Sequence, residues 1–372
     1  MASNRNDDYV DEVLEELDDI QTHVQSKKHL LNEFLEDLKT GIENSSDCEL
    51  LQGVHFRYPG SSYEHVGVTE KTDYDVALVL PQPYNAENFA VEKTRHGAGL
   101  YKLKWIGTMD KPDLININGY LKAIVLRDTI FFHLNDVIDE IKDDRCEDWD
   151  IRKANRKNSM LVILNGRNED FTIKIDLVPQ IQESSWEDTP DPPSDDDLPS
   201  VLREYVDQTR YPMFFSLASP ATSPKDTDSY AAPYKLNREN DKHLIVSCSF
   251  SELEKHCLKS SKVVRNAVRL AKLVSTKYQW RKKFRLHSYH IKRIAIKHFD
   301  ELDELSNWTA FQRLLLYLSD DVYVGHIDGF FIKNQDVYYE DDDEKFHAFA
   351  EAILQAKMSI NPNNLRNLLT TN

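Results

Sequence analysis

The sequence predicts an α+β protein of two lobes: a mixed β-sheet lobe crossed by a long N-terminal helix, followed by a helical C-terminal lobe. Three patterns carry that expectation. Over residues 9–38 apolar side chains recur at helical spacing: Val10, Val13, Leu14, Leu17, Ile20 and Val24, then Leu30, Leu31, Phe34, Leu35 and Leu38. Between residues 76 and 178 the apolar runs are short and strand-like. From Ser251 the spacing turns helical to the C-terminus, apart from an acidic insert at 340–344. The expected units are a spine helix at 1–50, a sheet lobe at 51–234 and a helical lobe at 235–372.

The first helix should end near Gly41. Its first half is acidic (Asp7, Asp8, Asp11, Glu12, Glu15, Glu16, Asp18, Asp19), and only Lys27 and Lys28 bring positive charge to its middle. Next comes GSSYEHVGVTEKTDYD, residues 60–75, running at once into the apolar VALVL. Gly60, Ser61 and Ser62 read as a tight turn able to offer backbone N–H groups and hydroxyls to phosphate. Asp73 and Asp75 stand at i and i+2 at the head of a strand, so their carboxylates share one face. Two such carboxylates repel unless a cation sits between them, and Mg²⁺ favours one or two carboxylates together with substrate phosphates. The bland alternative is a solvated strand edge. A strand at 100–105 and a helix near 129–141 follow. MLVIL (160–164), NGRNED (165–170) and FTIKIDLV (171–178) then read as a hairpin with Asn-Gly as its turn signal. Asp176 interrupts the apolar alternation of the second strand. An aspartate buried there is costly without a task, so the hairpin is expected to deliver it to Asp73 and Asp75, an arrangement suited to metal-dependent nucleotidyl transfer. WEDTPDPPSDDDLP (186–199) reads as a mobile surface loop and 219–233 as another.

Composition narrows the setting. No apolar stretch reaches the roughly 18 residues of a membrane span, and the N-terminus lacks the charged-then-apolar pattern of a signal peptide. The cysteines, Cys48, Cys146, Cys248 and Cys257, form no C-x-x-C pair, so reduced thiols in a cytoplasmic protein are the expectation. The net charge of −17 argues at first against a nucleic-acid partner. Its distribution argues the other way: residues 255–297 hold fourteen Lys and Arg and no Asp or Glu. A segregated basic block is a footprint for polyanions, whereas a merely solvated helix face usually mixes signs.

Taken with SFSELEKHCL (249–258) and SYHIK (288–292), the segments GSSYEHV and DYD and the distant strand aspartate resemble the cyclic GMP–AMP synthase (cGAS)-like receptors of the male-abnormal (Mab) nucleotidyltransferase family. The resemblance covers most of the chain after about residue 25, in the same order. It implies the bilobal nucleotidyltransferase fold with a spine helix bridging the lobes. It implies catalysis by Asp73, Asp75 and Asp176 on Mg²⁺ or Mn²⁺, a triphosphate positioned by Gly60, Ser61 and Ser62, and an acceptor nucleotide at Ser251 and Glu254. Lys272 would reach a phosphate or base, and Arg265 and Arg269, two turns and one turn earlier on the same helix face, would lie toward the nucleic-acid side or rim. Tyr289 could stack on a base beside Ser288, or be a core tyrosine packed with Ile291 and Ile294. An arginine expected two residues before SFS is Ser247 here, which leaves open whether the substrates are ATP and GTP or other NTPs.

The resemblance also implies an activator. The zinc-binding insertion of the DNA-sensing relatives is missing: EKHCLKSSKVVRN runs straight through, and no zinc is expected, since four ligands are not gathered. Relatives of that kind imply double-stranded RNA, read by shape through phosphates and 2′-hydroxyls, at Lys27, Lys28, Lys259, Lys262, Arg265, Lys277, Arg281, Lys282, Lys283 and Arg285. Charge alone does not separate RNA from DNA. A dimer on the ligand and a cyclic dinucleotide acting on a STING-type receptor in antiviral innate immunity complete the expectation. Two alternatives stay open: a catalytically silent Mab-type binding protein, and a linear-product enzyme of the oligoadenylate synthetase kind.

Overall fold

The computed structural model describes residues 2–60, 62–68, 72–94, 99–156, 158–168, 171–182, 186, 189, 191–209, 213–217, 243–332, 335 and 343–369. Ser61, the expected loop at 219–233 and the acidic insert up to residue 342 lie outside them.

The chain is a mixed α+β structure with one mixed sheet. The N-terminal segment forms two helices, α1 (Ala2–Ser26) and α2 (Lys28–Asn44), rather than the single helix expected. The join at Lys27 tightens into i to i+3 hydrogen bonding, Lys27 N to Val24 O and Leu30 N to Lys27 O, both 3.2 Å. The Lys27 ammonium lies 5.8 Å from the Phe171 ring centre and Lys28 lies 4.6 Å from that of Tyr63. The break lets the chain change partners. α1 packs on a later helix, α10 (Asn307–Tyr323), and on the C-terminal turn Pro362–Leu368; α2 packs on α3 (Ala123–Asp144). Gly41 does not end α2. A Cβ there would come within 2.5 Å of Val137 Cγ1 on α3, so the glycine serves a close helix approach.

The sheet has nine strands among the described residues. They are β1 (His55–Arg57), β2 (Thr72–Val79), β3 (Phe89–Lys93), β4 (Leu100–Trp105), β5 (Trp149–Asn155), β6 (Met160–Gly166), β7 (Thr172–Gln182), β8 (Phe214–Ser216) and β9 (Ile245–Ser249). The main order is β1-β2-β7-β8-β9-β4-β3, with β6 beside the first half of β7 and β5 beside β6. Among the described residues only the β2–β7 pair is parallel. Val76 to Leu80 are all buried, as a continuous apolar run in a sheet interior should be. The β6–β7 hairpin forms as expected, but its pairing reaches Asn165↔Thr172, so Asn165 and Gly166 end a strand and the reversal lies beyond them. β9 gives the start of the 235–372 segment a place in the sheet before the helices begin.

Those helices are α5 (Ser251–Ser260), α6 (Lys262–Lys277), α7 (Trp280–Phe284), α8 (Ser288–Lys297), α9 (Phe299–Asp303), α10 and α11 (Asp343–Ser359), with α4 (Ser200–Gln208) preceding β8. The loop at 186–199 is not a free surface segment: Trp186 and Leu198 are buried, and the Trp186 ring meets Phe250 edge-on at 6.4 Å. Among the described residues no helix is long and apolar enough to cross a membrane.

Candidate active site

The turn after β1 is the centre of the candidate site. Tyr63 N and Glu64 N both donate to Gly60 O at 3.1 Å. Gly60 has a φ of +91°, and a Cβ on it would lie 2.1 Å from Asp75 Oδ2, so the turn's backbone is pressed against the β2 carboxylate. Only glycine combines that conformation with that approach. Four elements clamp the turn. Gln21 and Gln25 of α1 donate to Ser62 O at 3.1 and 2.7 Å. Ser62 Oγ donates to Asp73 O of β2 at 2.8 Å. Lys272 of α6 donates to Val66 O at 2.5 Å. Lys292 of α8 reaches Glu64 at 2.9 and 3.0 Å. The buried Ser62 hydroxyl is therefore committed to backbone.

The carboxylates meet as expected along the backbone. Parallel register sets Asp75 opposite Asp176 and Asp73 opposite Lys174, and strands in a sheet lie only about 4.8 Å apart. Asp73 is exposed, with Lys174 Nζ 3.9 Å away. Asp75 is exposed, with the Gly60 turn packed against its Oδ2. Desolvation by the surrounding protein and the neighbouring Asp176, backed by Glu64 and Asp73, push its carboxyl up to about 7 against the pull of Lys292. Asp176 is half-buried and engaged elsewhere: Ser159 Oγ donates to its Oδ1 at 2.7 Å, and Arg156 Nη1 lies 3.1 and 3.2 Å from its two oxygens. Among the described residues no three His, Cys, Asp or Glu side chains converge on one point as they stand. The donor set still fits a hard divalent cation, because two carboxylates share a register and a third follows at i−2. Closing around an ion requires Asp176 to turn from Arg156.

Behind the carboxylates runs a buried ion network. Glu64 is fully buried, and Lys292 bridges it to Glu254 at 2.7 Å; Arg293 completes the chain at 2.9 Å from Glu254. Burial alone would lower the Lys292 ammonium, but Glu254 and Glu64 more than offset it and hold it above its ordinary value. Burial works the other way on Glu254, and Lys292 with Arg293 keeps its carboxyl below the ordinary range. Glu254, expected at the acceptor nucleotide, is thus 4% exposed and saturated with cations. Ser251 opens α5 and is half-buried. Tyr289 is half-buried, one ring face covered by the Arg293 guanidinium at 4.6 Å.

The cations expected to meet nucleic acid separate into groups. Lys259, Arg265 and Lys28 stand near enough to His65 that, after burial, they depress its imidazole pKa; Arg269 contributes as well. His65 sits at φ +58° at the end of the Gly60 turn. Arg269 is 2% exposed and reaches Asp18 of α1 at 2.6 Å, so it is interior rather than at a rim. A second group, Arg281, Lys282 and Arg285, lines a cleft of about 740 Å³ together with Lys272 and Ser288, which were expected at the nucleotide. Lys262 and Lys283 are exposed and outside that lining, and Lys277 donates to Asn367 O at 3.4 Å.

Arg156, Ser159, Glu64 and Lys292 were given no role by sequence reasoning. The last two lie inside the EHV and SYHIK segments, and an acidic residue in one and a lysine in the other are the signal that could have paired them. Nothing local marks Arg156. Compared with known proteins, the chain matches no family model and no curated protein.

Proposed function

We propose that the chain is a Mg²⁺-dependent nucleotidyltransferase of the bilobal cGAS-like kind, activated by double-stranded RNA, that joins two NTPs into a cyclic dinucleotide. The observation that carries this reading is the register of Asp75 with Asp176 on parallel strands, with the Gly60 turn lying against Asp75. Asp73, Asp75 and Asp176 would hold the ion, which when bound supplies charge for the attacking and leaving oxygens of an in-line displacement.

The chain's own groups account for the rest. Lys272 and Ser288 line one cleft, Lys272 is within electrostatic reach of Asp75, and the two would meet the donor's phosphates. An acceptor ribose hydroxyl attacks the donor's α-phosphorus; a new P–O bond forms, the α–β bridge breaks and pyrophosphate leaves. Asp176 would take the hydroxyl proton. A second attack of the same kind closes the ring. Duplex RNA would gather at Lys28, Lys259 and Arg265 around His65, at the far end of the turn whose near end touches Asp75. Binding there favours whichever state of the turn it contacts more tightly.

The test is incubation with all four labelled NTPs and Mg²⁺, with duplex RNA, duplex DNA or neither, followed by phosphatase and chromatography. A phosphatase-resistant product formed only with RNA is the expected result. Asp75→Asn should abolish that product and leave RNA binding intact; product from the variant sinks the metal assignment.

A further inference from the structure

The cleft between α6 and α8 is unusual for so acidic a chain. Its lining includes Lys272, Arg281, Lys282, Arg285 and His287 and, among the described residues, no Asp or Glu. The backbone is built to produce this. α7 is a five-residue helix bounded by Gln279 and Arg285, both at φ +56°, a region that favours glycine. Both are held there by what packs beneath. Trp280 is 1% exposed, and Phe284, one turn on, stacks on Phe349 at 4.3 Å. With Trp280 and Phe284 turned inward, Arg281, Lys282 and Arg285 are left on the cleft. Leu286 and Ile291 give it an apolar floor, and Ser288 stands at the opening residue of α8.

We propose that this cleft binds the polyphosphate chain of a small ligand, with Arg281, Lys282 and Arg285 as its outer wall, and that these three residues do not form part of a duplex-binding face. Size favours the small ligand. About 740 Å³ falls within the roughly 300–1,000 Å³ of small-molecule pockets, and a duplex cannot enter it. Charge favours a polyphosphate over a monoanion, because several cations along one wall can each meet a different phosphate oxygen. Arginine's planar fork suits phosphate oxygens in particular. The identity of the natural ligand rests on the nucleotidyltransferase reading, which makes it the tail of an NTP; a triphosphate would then be held better than a diphosphate.

Calorimetric titration of the full chain with inorganic tripolyphosphate and with pyrophosphate, without divalent metal, tests the inference. The wild type should bind tripolyphosphate more tightly than pyrophosphate. Arg281→Gln with Arg285→Gln, both outside the core, should weaken tripolyphosphate by at least about tenfold and narrow its advantage over pyrophosphate. Lys283→Gln, which does not line the cleft, should change neither. Duplex RNA affinity at the same salt should move by less than about twofold in the double variant. Unchanged tripolyphosphate binding, or parallel loss of RNA and tripolyphosphate, overturns the proposal. Failure to detect nucleotidyl transfer would not bear on these binding results, so the two readings fail separately.

Discussion

A methyl group at Gly60 would reach 2.1 Å from the Asp75 carboxylate in a backbone conformation that L residues avoid. Gly60→Ala should therefore cost about 1–3 kcal/mol of stability, read as a lower melting temperature. By displacing Asp75 it should also lower product formation by about 100-fold; an active, unshifted variant would show that the turn tolerates the methyl. Arg156 makes the opposite case. Its guanidinium is half-exposed and occupies Asp176, so an incoming cation must displace it. A pair of this exposure is worth no more than about 1 kcal/mol. Arg156→Ala should tighten Mn²⁺ binding to the nucleotide-free protein by up to about fivefold, followed by calorimetry or electron paramagnetic resonance. Weaker binding would instead make Arg156 a support of the ion site.

Among elements, the strongest connection is the one sequence reasoning did not see. Lys292 of α8 meets Glu64 of the turn across 228 residues and Glu254 of α5 across 38. Removing one member of a buried pair leaves charge without compensation. Lys292→Met should cost about 3–5 kcal/mol in urea unfolding, and adding Glu64→Gln should restore part of it. Full additivity of the two losses would show that they do not interact. The contrast with what was legible has a physical cause. VALVL and FTIKIDLV announce strands because period and burial are local properties, and Asp73, Asp75 and Asp176 stood out as charges against apolar runs. The break at Lys27 was masked because Val24 and Leu31 keep helical phase across it. Gly41 read as a stop because the Val137 contact that explains it belongs to another helix. Which lysine neutralises which glutamate is fixed only by the folded geometry, so the sequence could divide the fourteen cations of residues 255–297 between nucleotide and nucleic acid but not mark the ones spent on buried carboxylates.

In the whole molecule that block has several tasks. Arg269, Lys272, Lys292 and Arg293 are buried, while Lys259, Lys262, Arg281, Lys282 and Lys283 face solvent. Its buried members give the molecule a pH response. Burial, then Lys292, pushes the Lys272 ammonium down to about 7, with Arg269 adding to the fall and Glu64 and Asp75 opposing it. Lys272 therefore gains its charge as pH falls through 7. Tripolyphosphate affinity in the wild type should rise from pH 8 to pH 6 relative to Lys272→Arg, which is charged throughout. Asp75 and the ligand itself titrate in both proteins, so the ratio of affinities isolates Lys272; a ratio independent of pH would place its titration elsewhere.

The clamped turn has a consequence for how the molecule would fail. Its position is a conjunction: α1, β2, α6 and α8 must each be docked for Gly60 to lie against Asp75. Loosening any one of them removes an input while most helices and strands stay intact. Such a gate opens before the walls give way, so on warming the chemistry should be silenced while the ellipticity of the chain is still close to native.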